Sequence, residues 1–310
     1  TIKTYENTRG LQRKIAKGTA RIIRATISRG FNYWHVSFTV YERKRIPETH
    51  RNPGSVVGVD MGVGDHVIVA ANPHGDEVMR RGLPTTIADH DKIIRHLQRK
   101  LSRKRGPDKR TKTTPSNRWT RANNQIRKHY NTMSNVCRDF AAKAAHDLAK
   151  NYETVVIEDL NVRAMMARGG AYKRGLNRAI AQASFADLRR RIAYKTQWNG
   201  GTTIVADRWF PSSKTCSRCG EVKSKLSLSE REYMCHRCGI VVDRDLNAAT
   251  NLAKLAVPKS GVSNIDRTGS SPGMGRGGAG KTSSLSGGLA PAGEASMVRK
   301  DLSGCKAGTR

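Results

Sequence analysis

The sequence has few acidic residues, few aromatic residues and no long apolar run. Aspartate and glutamate number 25 against 57 lysines and arginines, and the net charge is +32 at pH 7. Because so large an excess of one sign repels itself in a compact fold, we expect a polyanionic partner, and nucleic acid fits best. No apolar run reaches the roughly 18 residues that a membrane-spanning helix needs, so we expect no membrane partner.

Cysteine is scarce as well, yet four of the six cysteines form two C-x-x-C pairs fifteen residues apart. The four are Cys216, Cys219, Cys235 and Cys238. This spacing predicts a zinc ribbon, in which four thiolates fill a closed tetrahedral site. The alternatives are a disulfide pair or a thioredoxin-like redox motif. A disulfide scaffold is disfavoured, since no secretory signal is recognisable and the other two cysteines lie far apart.

Three acidic residues stand where hydrophobic segments end or a helix starts. Asp60 and Glu158 each end a predicted buried strand, and Asp245 starts the last predicted helix. Taken singly, each acid is better explained as a turn residue, a strand-end group or a helix cap. Taken together in a chain that seeks polyanions, they predict a site for hard cations, in which two Mg²⁺ ions assist phosphodiester hydrolysis. Asp243 is the weaker candidate for the third position.

Strands alternate with helices after an initial run of strands, which predicts an α/β sheet flanked by helices. A hairpin is expected at 21–41, and apolar residues at helical spacing predict a helical hairpin at 87–150, with Cys137 on its apolar stripe. A further helix is predicted at about 178–198, and a buried strand at 202–205. Between Lys92 and Lys128 there are fourteen lysines or arginines and a single acid, Asp108. A charge run is usually a solvated face, but this one favours a surface that follows phosphates.

Five regions follow from these patterns. Residues 1–52 are expected to be the remnant of an N-terminal β-domain, and 53–256 the main domain. Within it lie the helical insertion 87–150 and the zinc ribbon 211–242. The Gly- and Ser-rich residues 257–310 predict a disordered tail. Because the chain begins at Thr1 rather than at methionine, we expect an N-terminal truncation.

Several stretches of the sequence closely resemble the TnpB (OrfB) proteins of insertion sequences, which are similar to the type V CRISPR effector nucleases. The stretches are 58–62, 156–161, 211–220, 235–239 and 243–251. The resemblance covers roughly residues 1–256.

The resemblance implies a RuvC-like nuclease domain of RNase H fold, preceded by the end of a small β-barrel. It implies cleavage of target DNA under the guidance of an RNA, in the cytoplasm of a prokaryote and associated with the nucleoid. Asp60, Glu158 and Asp245 match the catalytic triad of that family. Only the 21–41 hairpin of the expected barrel is visible, so the recognition of a target-adjacent motif and full guide binding are not expected of this chain by itself.

Two other functions stay open from the sequence. The chain could be a transposase that performs strand transfer with the same acidic triad. It could also be a zinc-ribbon nucleic-acid binder without catalytic activity, in which the α/β domain is a scaffold.

Overall fold

The structure is a computed structural model. It describes residues 7–29, 34–43, 45–108, 110–167, 170, 173–227, 230–257 and 298–305. The chain forms two compact units, one made of Thr1–Lys44 with Lys259–Arg310 and the other of Arg45–Pro258. No helix within the described residues is both long and apolar enough to cross a membrane. The finer division predicted from the sequence stays a prediction.

The first unit is a small antiparallel sheet with one helix. Its elements are α1 Arg9–Ala16, β1 Ala20–Arg29, β2 Trp34–Glu42 and β10 Val298–Cys305. Strands β1 and β2 pair along their length, as the 21–41 hairpin predicts, and β10 pairs with the other edge of β2. The tail prediction did not include β10, and the rest of the tail, 258–297 and 306–310, lies outside the described residues.

The second unit is built on a mixed five-stranded sheet. Its strands are β3 Val56–Met61, β4 Ile68–Ala71, β5 Glu77–Arg81, β6 Thr154–Ile157 and β7 Thr202–Val205. The order is β5-β4-β3-β6-β7, in which β5, β4 and β3 are antiparallel and β3, β6 and β7 are parallel. The predicted α/β sheet is therefore confirmed. Strand β7 is an edge strand, and the sequence wrongly predicts it to be buried, since Val205 is 49% exposed.

Helices cover both faces of this sheet. The helices of this unit are α2 Thr85–Ser102, α3 Asn117–Asn151, α4 Val162–Met165, α5 Lys173–Ala183, α6 Phe185–Trp198 and α7 Arg244–Lys254. The apolar faces of α3 and α6 pack on one side of the sheet, where Leu148 and Leu188 meet Val57. Helix α7 packs on the opposite side, where Leu252 meets Val156. The sequence predicts one helix over 178–198, but the structure has two, because Ser184 takes a left-handed backbone conformation with φ 52°.

Helices α2 and α3 pack against each other, and residues 103–116 connect them. Ile87, Ile94, Ile126 and Met133 form their shared core, together with Cys137. Cys137 is buried there as a small apolar side chain, which agrees with its place on the predicted apolar stripe. Burial also raises the pKa of its thiol, so it is a poor nucleophile.

Candidate active site and metal centre

Asp60 and Glu158 lie side by side at the carboxyl ends of two neighbouring parallel strands. In the β3–β6 pair, Val59 is opposite Ile157, so the next residue along each strand is one of the two acids. Successive side chains of a strand point to opposite faces. Val156 packs under α7, and therefore Glu158, two residues further on, also faces α7.

Helix α7 reaches the same place because it lies directly on β3. A Cβ atom at Gly58 would stand 2.1 Å from the Ala249 carbonyl oxygen and 2.3 Å from the Ala253 amide nitrogen. Only glycine permits this approach of strand to helix. Asp60 is on the same face of β3 as Gly58, and Asp245 is one helical turn before Ala249. The contact at Gly58 therefore brings the first turn of α7, with Asp245, to Asp60.

The three carboxylates act on one another electrostatically. Burial raises the pKa of Asp60 well above its usual range, and the charges of Glu158 and Asp245 raise it further. Burial also raises the pKa of Glu158, which a hydrogen bond from Ser212 partly offsets and the charge of Asp245 increases again. The charge of Arg244 lowers the pKa of Asp60 but does not outweigh these effects. Half-buried carboxylates that repel one another are the hard oxygen donors that Mg²⁺ prefers. The oxygens of the three carboxylates are not all within 4.8 Å of one another. Among the described residues, only the four cysteines have ligand atoms that lie this close together.

Ser212 is a site residue to which sequence reasoning gave no role. Its hydroxyl donates a hydrogen bond of 2.7 Å to Oε1 of Glu158. Its own carbonyl oxygen accepts a 2.8 Å bond from Nδ2 of Asn251 on α7. Ser212 thus ties the Glu158 carboxylate to the helix that carries Asp245.

Asn247 and Asn251 fasten α7 to the entry of the cysteine segment. Asn247 accepts from the Ser217 amide at 2.9 Å and donates to the Thr215 carbonyl at 2.7 Å. Asn251 donates to the same Thr215 carbonyl at 2.6 Å. The two asparagines stand at i, i+4 spacing in an otherwise apolar stretch, and this spacing of buried polar residues is the sequence signal that could have identified them.

Asp243 caps α7. Its side chain accepts hydrogen bonds from the amides of Asp245 and Leu246, and its Oδ1 lies 3.1 Å from Nη2 of Arg80. Burial raises the pKa of Asp243, but the Leu246 amide and Arg80 outweigh it and hold that pKa below its usual value. Because Oδ1 of Asp243 accepts the two cap hydrogen bonds and lies beside Arg80, Asp243 serves as a helix cap, and Asp245 stays the prediction for the third carboxylate.

The four cysteines of the two C-x-x-C pairs converge on one point. Their sulfur atoms all lie within 4.8 Å of one another, and the Cys216–Cys238 and Cys219–Cys235 sulfur distances are both 3.6 Å. A tetrahedron with metal–sulfur bonds of about 2.3 Å has edges of about 3.8 Å. The cluster therefore fits a zinc ion in size and in donor chemistry.

Both cysteine pairs are held by the same turn. Gly220 and Gly239 follow the pairs with φ of 77° and 71°, and their amides donate to the carbonyls of Cys216 and Cys235 at 3.0 Å. The second pair lies between β8 Glu232–Met234 and β9 Val241–Asp243. Strand β9 runs straight into α7, so the cysteine cluster is joined by a short, paired segment to the helix that carries Asp245.

A second feature lies on the α2–α3 pair. Of the fourteen basic residues between Lys92 and Lys128, twelve are exposed, Lys104 is half-buried, and Lys109 lies outside the described residues. We call this set the basic surface. Since these cations face solvent and the stretch holds one acid, Asp108, the surface suits a polyanion.

Two family models match this chain. The model described as a probable transposase matches residues 37–169, and the model described as a Cas12f1-like TNB domain matches residues 185–252. The second match contains the cysteine cluster, Ser212 and most of α7.

Known relatives match over most of the chain. A Mycobacterium tuberculosis (strain CDC 1551 / Oshkosh) protein, named as a candidate RNA-guided DNA endonuclease, is 34% identical over 84% of this chain and 55% of its own length. InsQ of Escherichia coli (strain K12), named in the same way, is 28% identical over 76% of this chain and 56% of its own length. The solved Cas12f1–sgRNA–target DNA complex shares 20% identity and a TM-score of 0.46 over 73% of this chain and 55% of that chain.

The mixed sheet, the cysteine cluster and the two family matches define a class, that of transposase-related proteins with a four-cysteine domain inserted before the last helix. Within that class, the chain belongs to the TnpB family, which is related to the Cas12 effectors. The chain spans about half the length of the curated relatives described above.

Proposed function

We propose that this chain contains a RuvC-like nuclease domain of RNase H fold and cleaves DNA under the guidance of an RNA. The observation that carries the proposal is the convergence of Asp60, Glu158 and Asp245 at one end of the parallel part of the sheet. Two neighbouring strands and a helix deliver these acids, and each shifted pKa reports the charge of another member. Raised pKa values with named charge partners mark functional sites more often than structural ones.

The catalytic acids are proposed to hold two Mg²⁺ ions, as the donor chemistry allows. When bound, two such ions activate the attacking water and stabilise the leaving oxygen of a phosphodiester. The protein's own part is positional. Gly58 sets the distance between β3 and α7, Ser212 orients the Glu158 carboxylate, and Asp243 fixes the first turn of α7.

The four-cysteine cluster is proposed to bind a structural zinc ion. Four thiolates leave no open position for a substrate, so the ion has no part in the chemistry. Its role is to fold the short segment that leads through β9 into α7. The zinc site therefore stabilises the position of Asp245.

The proposed partners are a guide RNA and a target DNA. The relatives' names describe RNA-guided DNA endonucleases, which supports this choice. The basic surface supports it independently. Lys92 and Arg95 pair with Asp89 and Asp91, but the exposed cations outnumber the acids and bind phosphates by releasing counterions.

The test is metal-dependent DNA cleavage by the protein purified with its copurifying RNA. Asp60→Asn should abolish cutting while leaving the melting temperature and the bound RNA unchanged or higher, because it removes a carboxylate that its neighbours repel. Cutting by Asp60→Asn at the wild-type rate would refute the assignment of the site. Binding of nucleic acid without cutting by either protein would favour the non-catalytic binder.

Strand transfer is a second candidate, since one matching family model is described as a probable transposase. The two activities differ in their products. A transposase joins cut ends to a new target, whereas a guided nuclease cuts where the copurifying RNA pairs. Sequencing that RNA, together with the product ends, separates them.

A further inference from the structure

Trp209 lies almost fully in solvent, on the segment that leads from β7 to Ser212. Its side chain is 85% exposed, more than any other large hydrophobic side chain that the structure describes. It follows β7 and stands three residues before Ser212, whose hydroxyl contacts Glu158. A single exposed apolar residue is ordinary, so exposure alone indicates nothing. The surroundings of Trp209 carry the argument.

The backbone on both sides of Trp209 is held in place. The Trp209 amide donates to Oδ1 of Asp207 at 2.8 Å, and the Phe210 amide donates to the Asp207 carbonyl at 3.0 Å. The Phe210 side chain packs inward in the cluster that contains Val156 and Leu252. The ring of Phe210 therefore packs toward the core, whereas the ring of Trp209 faces solvent from an anchored loop.

Two arginines belong to the surroundings of this segment. Arg208, the neighbour of Trp209, places Nη2 2.5 Å from Oδ2 of Asp159, and Arg189 of α6 places Nη2 3.2 Å from Oδ1 of the same carboxylate. Asp159 directly follows Glu158. The two guanidinium groups lie around one carboxylate beside the candidate active site, and guanidinium groups bind phosphates well.

We propose that Trp209 stacks on an unpaired base of the DNA strand whose phosphate enters the carboxylate site, with Arg208 and Arg189 beside adjacent phosphates. This inference rests on the proposed function and deepens it, since it makes single-stranded DNA the form that reaches the acids. An exposed aromatic ring next to cations is the arrangement by which proteins bind single strands of any sequence. The anchored loop lowers the ordering cost of binding, because the backbone that carries the ring is already held.

The test is binding rather than cutting. The full chain carrying Asp60→Asn is titrated with a labelled oligothymidylate of about 12 nucleotides, within the site sizes of single-strand binders. Trp209→Leu should weaken binding about 5- to 150-fold, the range that stacking on one base produces. Trp209→Phe keeps a ring and should stay within about 3-fold of the parent. Trp209→Leu should leave the salt dependence of binding unchanged, whereas Arg208→Gln should reduce it.

Equal affinities of the parent and Trp209→Leu would overturn the inference, and so would equal losses in the Leu and Phe variants. The inference would also be overturned if Trp209→Leu weakened the binding of an oligouridylate but not of oligothymidylate, because Trp209 would then bind RNA. The outcome is separable from that of the proposed function. A protein that binds single-stranded DNA through Trp209 but never cuts refutes the nuclease and keeps the stacking. If the Trp209→Leu variant cuts DNA at the normal rate and binds the oligonucleotide with unchanged affinity, only the stacking is refuted.

Discussion

Gly58→Ala tests the contact that brings β3 and α7 together. The new methyl group would lie 2.1 Å from the Ala249 carbonyl oxygen, and ordinary contact begins at 3.4 Å, so α7 must move away by about 1.3 Å. Overpacking of this kind costs about 1–3 kcal/mol. For a unit of this size, 1 kcal/mol corresponds to about 2–4 °C, so the melting temperature should fall by about 2–12 °C. Because Asp245 moves with α7, and a 1 Å displacement can cost about 100-fold in rate, cutting should fall by that order.

The measurements are a thermal melt and a DNA cleavage time course with the copurifying RNA. Gly175→Ala is the matched control, since a Cβ atom at Gly175 in α5 would meet nothing within 4 Å. That change should leave cutting intact and stabilise the helix by up to about 1 kcal/mol. If Gly58→Ala melts and cuts like Gly175→Ala, then α7 is not held against β3 in the way described.

Two further changes act on the supports of the site. Ser212→Ala removes the hydroxyl that lowers the pKa of Glu158, so that pKa should rise further, and the acid limb of the pH–rate profile should shift to higher pH. An unshifted acid limb would exclude Ser212 as a positioning residue for Glu158. Cys216→Ser removes one of four ligands, so bound zinc, measured by elemental analysis, should be lost and cutting should fall with the acids intact. Full activity of the zinc-free protein would show that the cluster does not position Asp245.

The carboxylates and cysteines of the candidate site could be predicted more fully than the contacts that hold them in position. Asp60 and Glu158 were found because buried strands end in them, and the register of β3 and β6 places them together as expected. The cysteine cluster followed from spacing alone and is confirmed as a group of four. Sequence patterns report the periodicity of an element but not which element packs on it. For that reason the close contact at Gly58 and the hydrogen bond from Ser212 could not be predicted.

Two predictions about the fold were wrong, and the local conformation and packing of the chain explain both. The apolar pattern over 178–198 continues through Ser184, whose left-handed backbone breaks the helix without any glycine or proline to signal it. Strand β7 has the composition of a buried strand but has a neighbour on one side only, so Val205 stays exposed. In both cases tertiary packing decides what local sequence leaves open.

The link between the cysteine cluster and the carboxylates runs through α7 by two routes. One route is covalent, from β9 through the Asp243 cap into the first turn of the helix. The other consists of the hydrogen bonds of Asn247 and Asn251 to the Thr215 carbonyl, next to Cys216. Loss of the proposed zinc ion should weaken the fold where both routes begin and should leave the Gly58 contact, which involves no cysteine, in place. Zinc removal should therefore reduce cutting without abolishing it, whereas a displacement of α7 at Gly58 acts on Asp245 directly.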